Sequence, residues 1–274
     1  MKTLLTIHDI EQPIGSLKPV ILLAEELGAH LDVVVLGVIR NVAVAASPGV
    51  PAVYFHDAND ELINEGKARV GEVQTMLAKT DLSHSVMLEC RDAALIENVV
   101  LGHAMLADAT VFPDGNVLND DALSRSFNGA LLRSGRPVLF LGQKGKPLKD
   151  IGTVLYAWNG EPESAKAMHH SLNWIDGATK AHVVLVDPDE YKVGENPGDD
   201  VAAFLSRNHL VVSVDRIPRG SRDVASVLMQ HASDIGADLI VMGGYSHSRF
   251  REWLIGGTTR STLKEANIPI LMAH

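Results

Sequence analysis

The sequence is poor in cysteine, in basic residues and in long apolar runs, and each shortage excludes a class of protein. Its 274 residues include one cysteine, Cys90, so neither a disulfide scaffold nor a thiolate zinc cluster can form within the chain. Lysine and arginine number 24 against 34 aspartates and glutamates, a formal net charge of −10. An acidic chain lacks the basic surface that general nucleic-acid binding needs, although a local basic patch is compatible with one nucleotide.

Apolar runs of the roughly 20 residues that span a membrane are also missing. After Met1 the chain has a short apolar stretch that His8 and Asp9 interrupt, without the length or the cleavage site of a signal peptide. The remaining composition, 46% hydrophobic and 21% charged, is typical of globular proteins. We therefore expect a cytoplasmic protein without membrane contact, built as one large domain or two small ones.

Ten short apolar runs alternate with helical patterns along the chain. The runs are nearly continuous rather than alternating, which is typical of parallel strands that helices cover on both faces. The pattern therefore predicts an α/β fold. The predicted strands are Leu4–Ile7, Val33–Ile39, Ser85–Leu88, Ala109–Phe112, Pro137–Leu141, Thr153–Ala157, His182–Val186, Leu210–Val214, Leu239–Met242 and Pro269–Met272.

Two of the intervening segments have a clear helical period. Ala93–Ala107 and Val224–Gly236 carry apolar residues at every third or fourth position. Asp92 and Asp223 stand immediately before these segments, where a carboxylate caps exposed N–H groups. The apolar face predicted for the first of these helices consists of Leu95, Val99, Gly102 and Leu106.

The two sets of five strands are copies of one unit. Thr3–Asp9 corresponds to Thr153–Asn159 at an offset of 150 residues, whereas Ala107-Asp108 corresponds to Ala237-Asp238 at an offset of 130. The first copy therefore carries about 20 extra residues, which the spacing assigns to a segment near residues 41–67. A short polar stretch with glycine and proline, residues 143–150, is typical of a linker.

The repeat predicts two tandem domains, residues 1–145 and residues 150–274. Each is expected to be a five-stranded parallel open sheet with helices on both faces. A single such unit would expose an apolar edge or face, so we expect the two to pack as an internal pseudo-dimer. Two chains could pair further as a homodimer.

The most informative segment follows the ninth predicted strand. The strand ends in one glycine pair. A second glycine pair follows thirteen residues later, and two threonines come directly after it. Glycines at a strand end and a helix start allow backbone N–H groups to approach a phosphate closely, and the helix N-terminus favours its charge. The candidate phosphate-binding residues are Gly243, Gly244, Ser246, Arg249, Gly256, Gly257, Thr258 and Thr259.

This segment resembles the signature of the universal stress protein family: Gly, two residues, Gly, nine residues, Gly, then Ser or Thr. Gly243 and Gly256 match, whereas Ser246 and Gly257 depart from the pattern. Thr153–Ala165 is similar to the family's first strand and helix start, and the resemblance extends to both halves. It implies a Rossmann-like fold of the adenine nucleotide alpha hydrolase type, including members with two such domains in one chain.

The resemblance also implies a site. Nucleotide-binding members hold ATP between the ends of the first two strands and this loop. By position, Asn159 replaces an acidic residue that contacts the ribose, and Val186 matches the residue whose backbone reads adenine. The implied function is a stress-response sensor or adaptor that binds ATP or AMP in its second half, with Mg²⁺ assisting and at most slow ATP hydrolysis.

The first half lacks this signature, because Pro113 and Asp114 follow the corresponding strand. Proline has no N–H donor and a carboxylate repels phosphate, so this half is expected to pack against the second or to bind something else. His8 and Asp9 end a strand, which is a usual place for a ligand contact in parallel sheets, but a solvated turn is the favoured interpretation. Cys90 is interpreted as an inert thiol.

Two alternative functions stay open at this point. One is an interaction protein that keeps the fold and binds no nucleotide, which the departures at Ser246 and Gly257 favour. The other is a small hydrolase, because Gly244–Ser248 is similar to a nucleophile elbow. That motif needs an acid and a base after the serine, and only His247 and the terminal His274 follow it as histidines, so hydrolysis is disfavoured.

Overall fold

The computed structural model describes residues 2–39, 53–115, 119–142, 148, 151–175, 179–188, 198–244 and 266–274. Strands and helices alternate through these ranges. The strands are β1 (Thr3–Asp9), β2 (His30–Ile39), β3 (His84–Asp92), β4 (Ala109–Phe112), β5 (Val138–Phe140), β6 (Thr153–Ala157), β7 (Lys180–Val186), β8 (Val211–Ile217), β9 (Leu239–Gly243) and β10 (Ile270–Ala273). The helices are α1 (Lys18–Leu27), α2 (Val53–Leu77), α3 (Ile96–Ala104), α4 (Asp121–Arg133), α5 (Pro162–Ser171), α6 (Asp199–Arg207) and α7 (Val224–Asp234).

All ten strands belong to one sheet, in the order β3-β2-β1-β4-β5-β10-β9-β6-β7-β8. The α/β prediction is confirmed, and each predicted strand is present. Within each half the strands are parallel, but β5 and β10 pair antiparallel, with Leu139 opposite Leu271. The sheet is therefore continuous rather than two separate open sheets, because this pairing satisfies two edges that would otherwise expose unpaired N–H and C=O groups.

Helices cover both faces of the sheet. One buried cluster joins α1, α2, α5 and α6 to the sheet through residues such as Val20, Val73 and Leu205. The other joins α3, α4 and α7 through residues such as Val100, Phe127 and Leu228. Each cluster contains residues of both halves, so the halves share one core on each side of the sheet.

The sequence repeat has a direct structural counterpart in two aspartates. Asp108 accepts hydrogen bonds from the backbone N–H groups of Lys2 and Thr3, at 2.6 and 3.1 Å. Asp238 accepts the same pair of bonds from Gly152 and Thr153, at 3.0 and 3.1 Å. In both halves the carboxylate before the fourth strand therefore fixes the start of the first strand.

The predicted helix caps are present. Asp92 accepts the N–H of Ala94 at 2.9 Å, and Asp223 accepts the N–H of Ser226 at 2.9 Å. Helix α7 begins at Val224 as predicted.

The apolar face predicted for α3 is wrong. Leu95 and Leu106 are 49% and 84% exposed, because a 3-10 turn over Ala93–Leu95 shifts the helix start. The residues that α3 buries are Ile96, Val100 and Ala104.

The extra segment of the first half includes part of a long helix. Of the predicted insertion near residues 41–67, residues 41–52 lie outside the described ranges and the rest falls on the first part of α2. Val73 and Leu77, one turn apart near the end of α2, are fully buried against the sheet. The predicted linker, residues 143–150, lies outside the described ranges except for residue 148.

Among the helices that the structure describes, none combines the length and the apolarity that crossing a bilayer requires.

Candidate functional site

The carboxyl ends of β6 and β9 define the candidate site of the second half. These strands are neighbours in the sheet, with Ala157 opposite Met242, so the chain leaves both at the same level. From β6 it continues into α5 and β7 on one side, whereas β10 lies beyond β9 on the other. This reversal of strand order opens the crevice in which parallel α/β sheets bind ligands.

Asn159 lies in the turn between β6 and α5. Its side-chain Oδ1 accepts the backbone N–H of Glu161 at 3.2 Å, and Gly160 between them has a φ of +79°. Asp9 occupies the corresponding position of the first half and accepts the N–H of Glu11 at 2.8 Å. In both halves this side chain therefore shapes the turn that leads away from the central strand.

Gly243 ends β9 against the first turn of α5. A Cβ atom on Gly243 would stand 2.7 Å from the backbone nitrogen of Ser164 and 2.9 Å from the carbonyl carbon of Glu163. A side chain at this position has no room, because both of these neighbours are backbone atoms. Glycine here thus brings the end of β9 to the N-terminus of a helix, whose partial positive charge favours anions.

Gly244 is engaged in the sheet rather than open to a ligand. Its N–H donates to the carbonyl of Ala273 at 2.8 Å, and its own carbonyl accepts from Nδ1 of His274 at 2.8 Å. A Cβ atom on Gly244 would stand 2.8 Å from Cδ2 of Leu131, a residue of α4 in the first half. Packing between the halves and pairing with β10 therefore account for this glycine.

Val186 is the last residue of β7 and is half-buried. The residue after it, Asp187, has a φ of +46°, an uncommon conformation for a residue other than glycine. The N–H of Asp187 donates to the carbonyl of Ile217, and its Oδ1 accepts the N–H of Arg219 at 2.9 Å. Asp187 therefore orients the chain beyond β7, and sequence periodicity gave no signal of its conformation.

Glu163 is a further residue of this site that the sequence did not single out. It lies in the first turn of α5, beside Gly243. Its Oε2 atom is buried without a hydrogen-bond partner among the described residues. Carboxylate oxygens are preferred ligands of Mg²⁺, whereas an unneutralised carboxylate here would repel a phosphate.

The other predicted phosphate-binding residues lie outside the described ranges. They are Ser246, Arg249, Gly256, Gly257, Thr258 and Thr259. Of the predicted nucleotide-binding set, Asn159 and Gly243 lie at the ends of β6 and β9 beside the crevice, and Val186 ends the next strand. Gly244 is instead paired with β10.

In the first half, the prediction of a solvated turn at His8 and Asp9 is wrong, since they are 0% and 6% exposed. Arg69 of α2 reaches over the strand end and donates to Nε2 of His8 at 3.2 Å and to the carbonyl of Gln12. Burial, with the nearby Arg69 charge, lowers the pKa of His8 to about 4. His8 is therefore neutral at pH 7, and its Nδ1 has no partner in the described structure.

The neighbouring carboxyl group is perturbed in the opposite direction. Burial raises the pKa of Asp9 to about 6, and the carboxylates of Asp120 and Glu11 add to this against the hydrogen bond from the Glu11 N–H. Asp120 itself caps α4 by accepting the N–H of Leu123 at 2.9 Å. The first-half crevice is therefore closed by α2 and lined with acidic groups, which disfavours a phosphate there.

Comparison with known proteins identifies the relatives of this fold. Residues 151–274 match the model of the universal stress protein family. The structure is similar to a universal stress protein from Archaeoglobus fulgidus DSM 4304, with a TM-score of 0.67 and 15% identity over 98% of this chain and 95% of that one. It is also similar to a putative universal stress protein from Pseudomonas aeruginosa UCBPP-PA14, with a TM-score of 0.55 and 16% identity over 100% of this chain and 93% of that one.

No curated protein sequence matches the chain. The family match lies in the half that carries the glycine signature, and the similarity to the solved structures extends over both halves. The two halves of this chain have the same strand order. Residues 151–274 are therefore similar to the universal stress protein family, and the fold of the whole chain is similar to that of solved universal stress proteins.

Proposed function

We propose that the second half binds an adenine nucleotide, ATP or AMP, in the crevice between β6 and β9, and that the protein acts as a nucleotide-dependent sensor or adaptor. The observation that carries this proposal is the contact of Gly243 with the first turn of α5. A Cβ atom on Gly243 would stand 2.7 Å from the backbone nitrogen of Ser164. This contact sets a helix N-terminus, which favours phosphate, beside the strand end that leads into the glycine signature.

The groups around this contact suit the parts of a nucleotide. Asn159 at the end of β6 has an amide that can hydrogen-bond a ribose hydroxyl. The buried Oε2 of Glu163, which has no hydrogen-bond partner among the described residues, suits a Mg²⁺ ion that bridges to the phosphates, since that ion keeps its own waters and needs only one or two carboxylates. Arg249 contributes positive charge to the signature segment.

The described part of the crevice contains no base held against a nucleophile, which committed catalysis would need. We therefore propose that bound nucleotide acts as a signal, with ATP turnover slow at most. The acidic chain is expected to avoid nucleic acid, and the output of the sensor is expected to be a contact with another protein.

Isothermal titration of the full chain with ATP and with AMP, each with and without Mg²⁺, tests the proposal. The expected result is saturable binding of one nucleotide per chain, with ATP strengthened by Mg²⁺. A folded sample that gives no binding heat at about 1 mM nucleotide would contradict the proposal. A Kd of about 1 mM corresponds to a binding free energy of about −4 kcal/mol.

Variants at corresponding positions assign the site to one half. Asn159→Leu removes the amide and should weaken binding about 10-fold, the value of one hydrogen bond. Asn159→Asp keeps the acceptor for the Glu161 N–H and should retain or strengthen binding. The matched control is Asp9→Asn in the first half, which should leave nucleotide affinity unchanged.

A second candidate function is a protein-interaction role without nucleotide. The observation that favours this role is the hydrogen bond of Gly244. Its N–H donates to the carbonyl of Ala273 and is therefore not available to a phosphate. This alternative predicts that protein purified without added nucleotide carries none, as chromatography of the denatured supernatant would reveal.

A further inference from the structure

Two histidines and one aspartate from three different elements converge on one face of the sheet, away from the carboxyl-end crevice. His182 lies on β7, Asp215 on the edge strand β8 and His231 on α7. Nδ1 of His182 is 2.8 Å from Oδ2 of Asp215, and Nε2 of His231 is 3.1 Å from the same oxygen. Two imidazoles thus aim one nitrogen each at a single carboxylate oxygen.

We propose that His182, Asp215 and His231 form a binding site for a divalent transition-metal ion of the Zn²⁺ class. Zinc binds imidazole nitrogen and carboxylate oxygen at about 2.0–2.2 Å, so adjacent ligand atoms in a tetrahedral shell are separated by about 3.4 Å. The separations of 2.8 and 3.1 Å are only slightly shorter than this, and all three ligand atoms lie within 4.8 Å of one another. Small side-chain adjustments would therefore complete the shell.

The three groups have the donor chemistry that metal binding needs. One ring nitrogen of His182 and one of His231 face the same oxygen of Asp215 in hydrogen bonds. Each of these nitrogens can present a lone pair to a metal when the ring proton lies on the far ring nitrogen. The ion would then replace the two hydrogen bonds to Asp215.

The site is both rigid and open to solvent. Two ligands lie on paired strands of the sheet and the third on a helix packed over them, so little ordering is needed. The side chains of His182, Asp215 and His231 are 23%, 28% and 21% exposed, which leaves a path for an ion and its water. Three protein ligands and one solvent position are the usual shell of an open zinc site.

The fold itself does not require these polar groups at this place. The corresponding strands of the two halves can be aligned by their register. His182 lies opposite Ser213, as Asp32 lies opposite Ser85 in the first half. Two residues after these serines, Asp215 corresponds to Met87. The first half thus builds the same strands with a methionine at the carboxylate position. Within the described residues, His182, Asp215 and His231 are the single group of three potential metal ligands at this spacing.

Titration of untagged, metal-free full-length protein with Zn²⁺, in the absence of nucleotide, tests the proposal. One ion per chain is expected, and Co²⁺ in its place should give the visible absorption of an ion bound to imidazole nitrogen. His182→Gln and His231→Gln should each weaken Zn²⁺ binding more than about 100-fold, because even residues that only orient a ligand account for 10–100-fold.

The matched control is His103→Gln. His103 lies on α3 of the first half and is 3.5 Å from Glu89, a comparable histidine–carboxylate pair without a third ligand. This variant should bind Zn²⁺ as the native protein does. The proposal is overturned if the native protein binds no Zn²⁺, or if His182→Gln and His231→Gln, shown to be folded by circular dichroism, bind it with native affinity.

Discussion

Gly244 in the second half lies directly against Leu131 in the first half, since a Cβ on Gly244 would stand 2.8 Å from Cδ2 of Leu131. Leu131 is fully buried, so its side chain has little freedom to move aside. Gly244→Ala should therefore lower the free energy of unfolding by about 1–3 kcal/mol, as overpacking does. Urea denaturation measures this change.

A double-mutant cycle isolates the contact. Leu131→Ala alone should cost about 2–5 kcal/mol through the cavity that it leaves. In that background the atom that obstructs the new methyl group is gone, so Gly244→Ala should cost close to nothing. If the two costs simply add, the contact between the halves does not explain this glycine.

Gly243 is expected to be less tolerant than Gly244. The atoms that would meet its Cβ, at 2.7 and 2.9 Å, belong to the backbone of Ser164 and Glu163. Gly243→Ala should therefore cost about 3 kcal/mol, the upper part of the usual range for overpacking, because a helix start must shift as a unit. Thermal and urea unfolding of the variant provide the measurement.

Gly71 supplies the control for this prediction. It lies in α2 with no atom within 4 Å of a would-be Cβ. Gly71→Ala should raise stability by about 0.5–1 kcal/mol, because alanine loses less backbone entropy in a helix. Similar effects for the two substitutions would contradict a special close approach at Gly243.

The buried carboxyl group of Asp9 should make the first half sensitive to pH. Its pKa is raised to about 6, whereas the same group in an unfolded chain titrates near 3.8. At pH 7 the ionised group therefore costs about 3 kcal/mol, by the equivalence of pKa shift and free energy. Asp9→Asn should be more stable than the native protein at pH 7 by up to this amount.

The sign of the pH dependence follows from the direction of the shift. The folded protein binds a proton at Asp9 as the pH falls through about 6, so the advantage of Asp9→Asn should shrink and vanish below about pH 4. Asp108 is the control of opposite sign, because hydrogen bonds from the N–H groups of Lys2 and Thr3 lower its pKa. Asp108→Asn should be destabilised at neutral pH, with the loss fading on acidification.

The strand positions could be predicted from the sequence because both faces of this sheet are buried. A strand such as Val33–Ile39 must then be apolar along its whole length, and such runs stand out from amphipathic helices. The repeat was equally visible, and the bonds of Asp108 and Asp238 explain why Ala-Asp recurs before the fourth strand of each half.

The contacts between distant residues could not be predicted in this way. The antiparallel pairing of β5 and β10 depends on how two complete halves meet, and no local pattern encodes it. The metal-ligand group has the same character, since 49 positions of sequence separate His182 from His231. The sequence contains twelve histidines, but no local pattern in it brings these two to one carboxylate.

Arg69 provides a test of how α2 is coupled to β1. It donates to Nε2 of His8 and to the carbonyl of Gln12, although 61 residues separate it from His8. Arg69→Met keeps much of the side-chain length but leaves both acceptors without this donor. The variant should lose about 1–3 kcal/mol, the usual cost of an unsatisfied buried polar group.

The control for Arg69 is its other partner. Glu72 lies 3.1 Å from Nε of Arg69, but its side chain is 57% exposed, so Glu72→Gln should cost less than about 1 kcal/mol.

Nuclear magnetic resonance titration of His8 distinguishes loss of the contact between Arg69 and His8 from general damage to the fold. Because Arg69 adds to the effect of burial on the pKa of His8, Arg69→Met should raise that pKa above about 4. Burial remains the larger cause, so the pKa should still lie below the ordinary value of 6.5. A pKa of His8 that is unchanged in Arg69→Met would mean that the guanidinium does not contact this ring in solution.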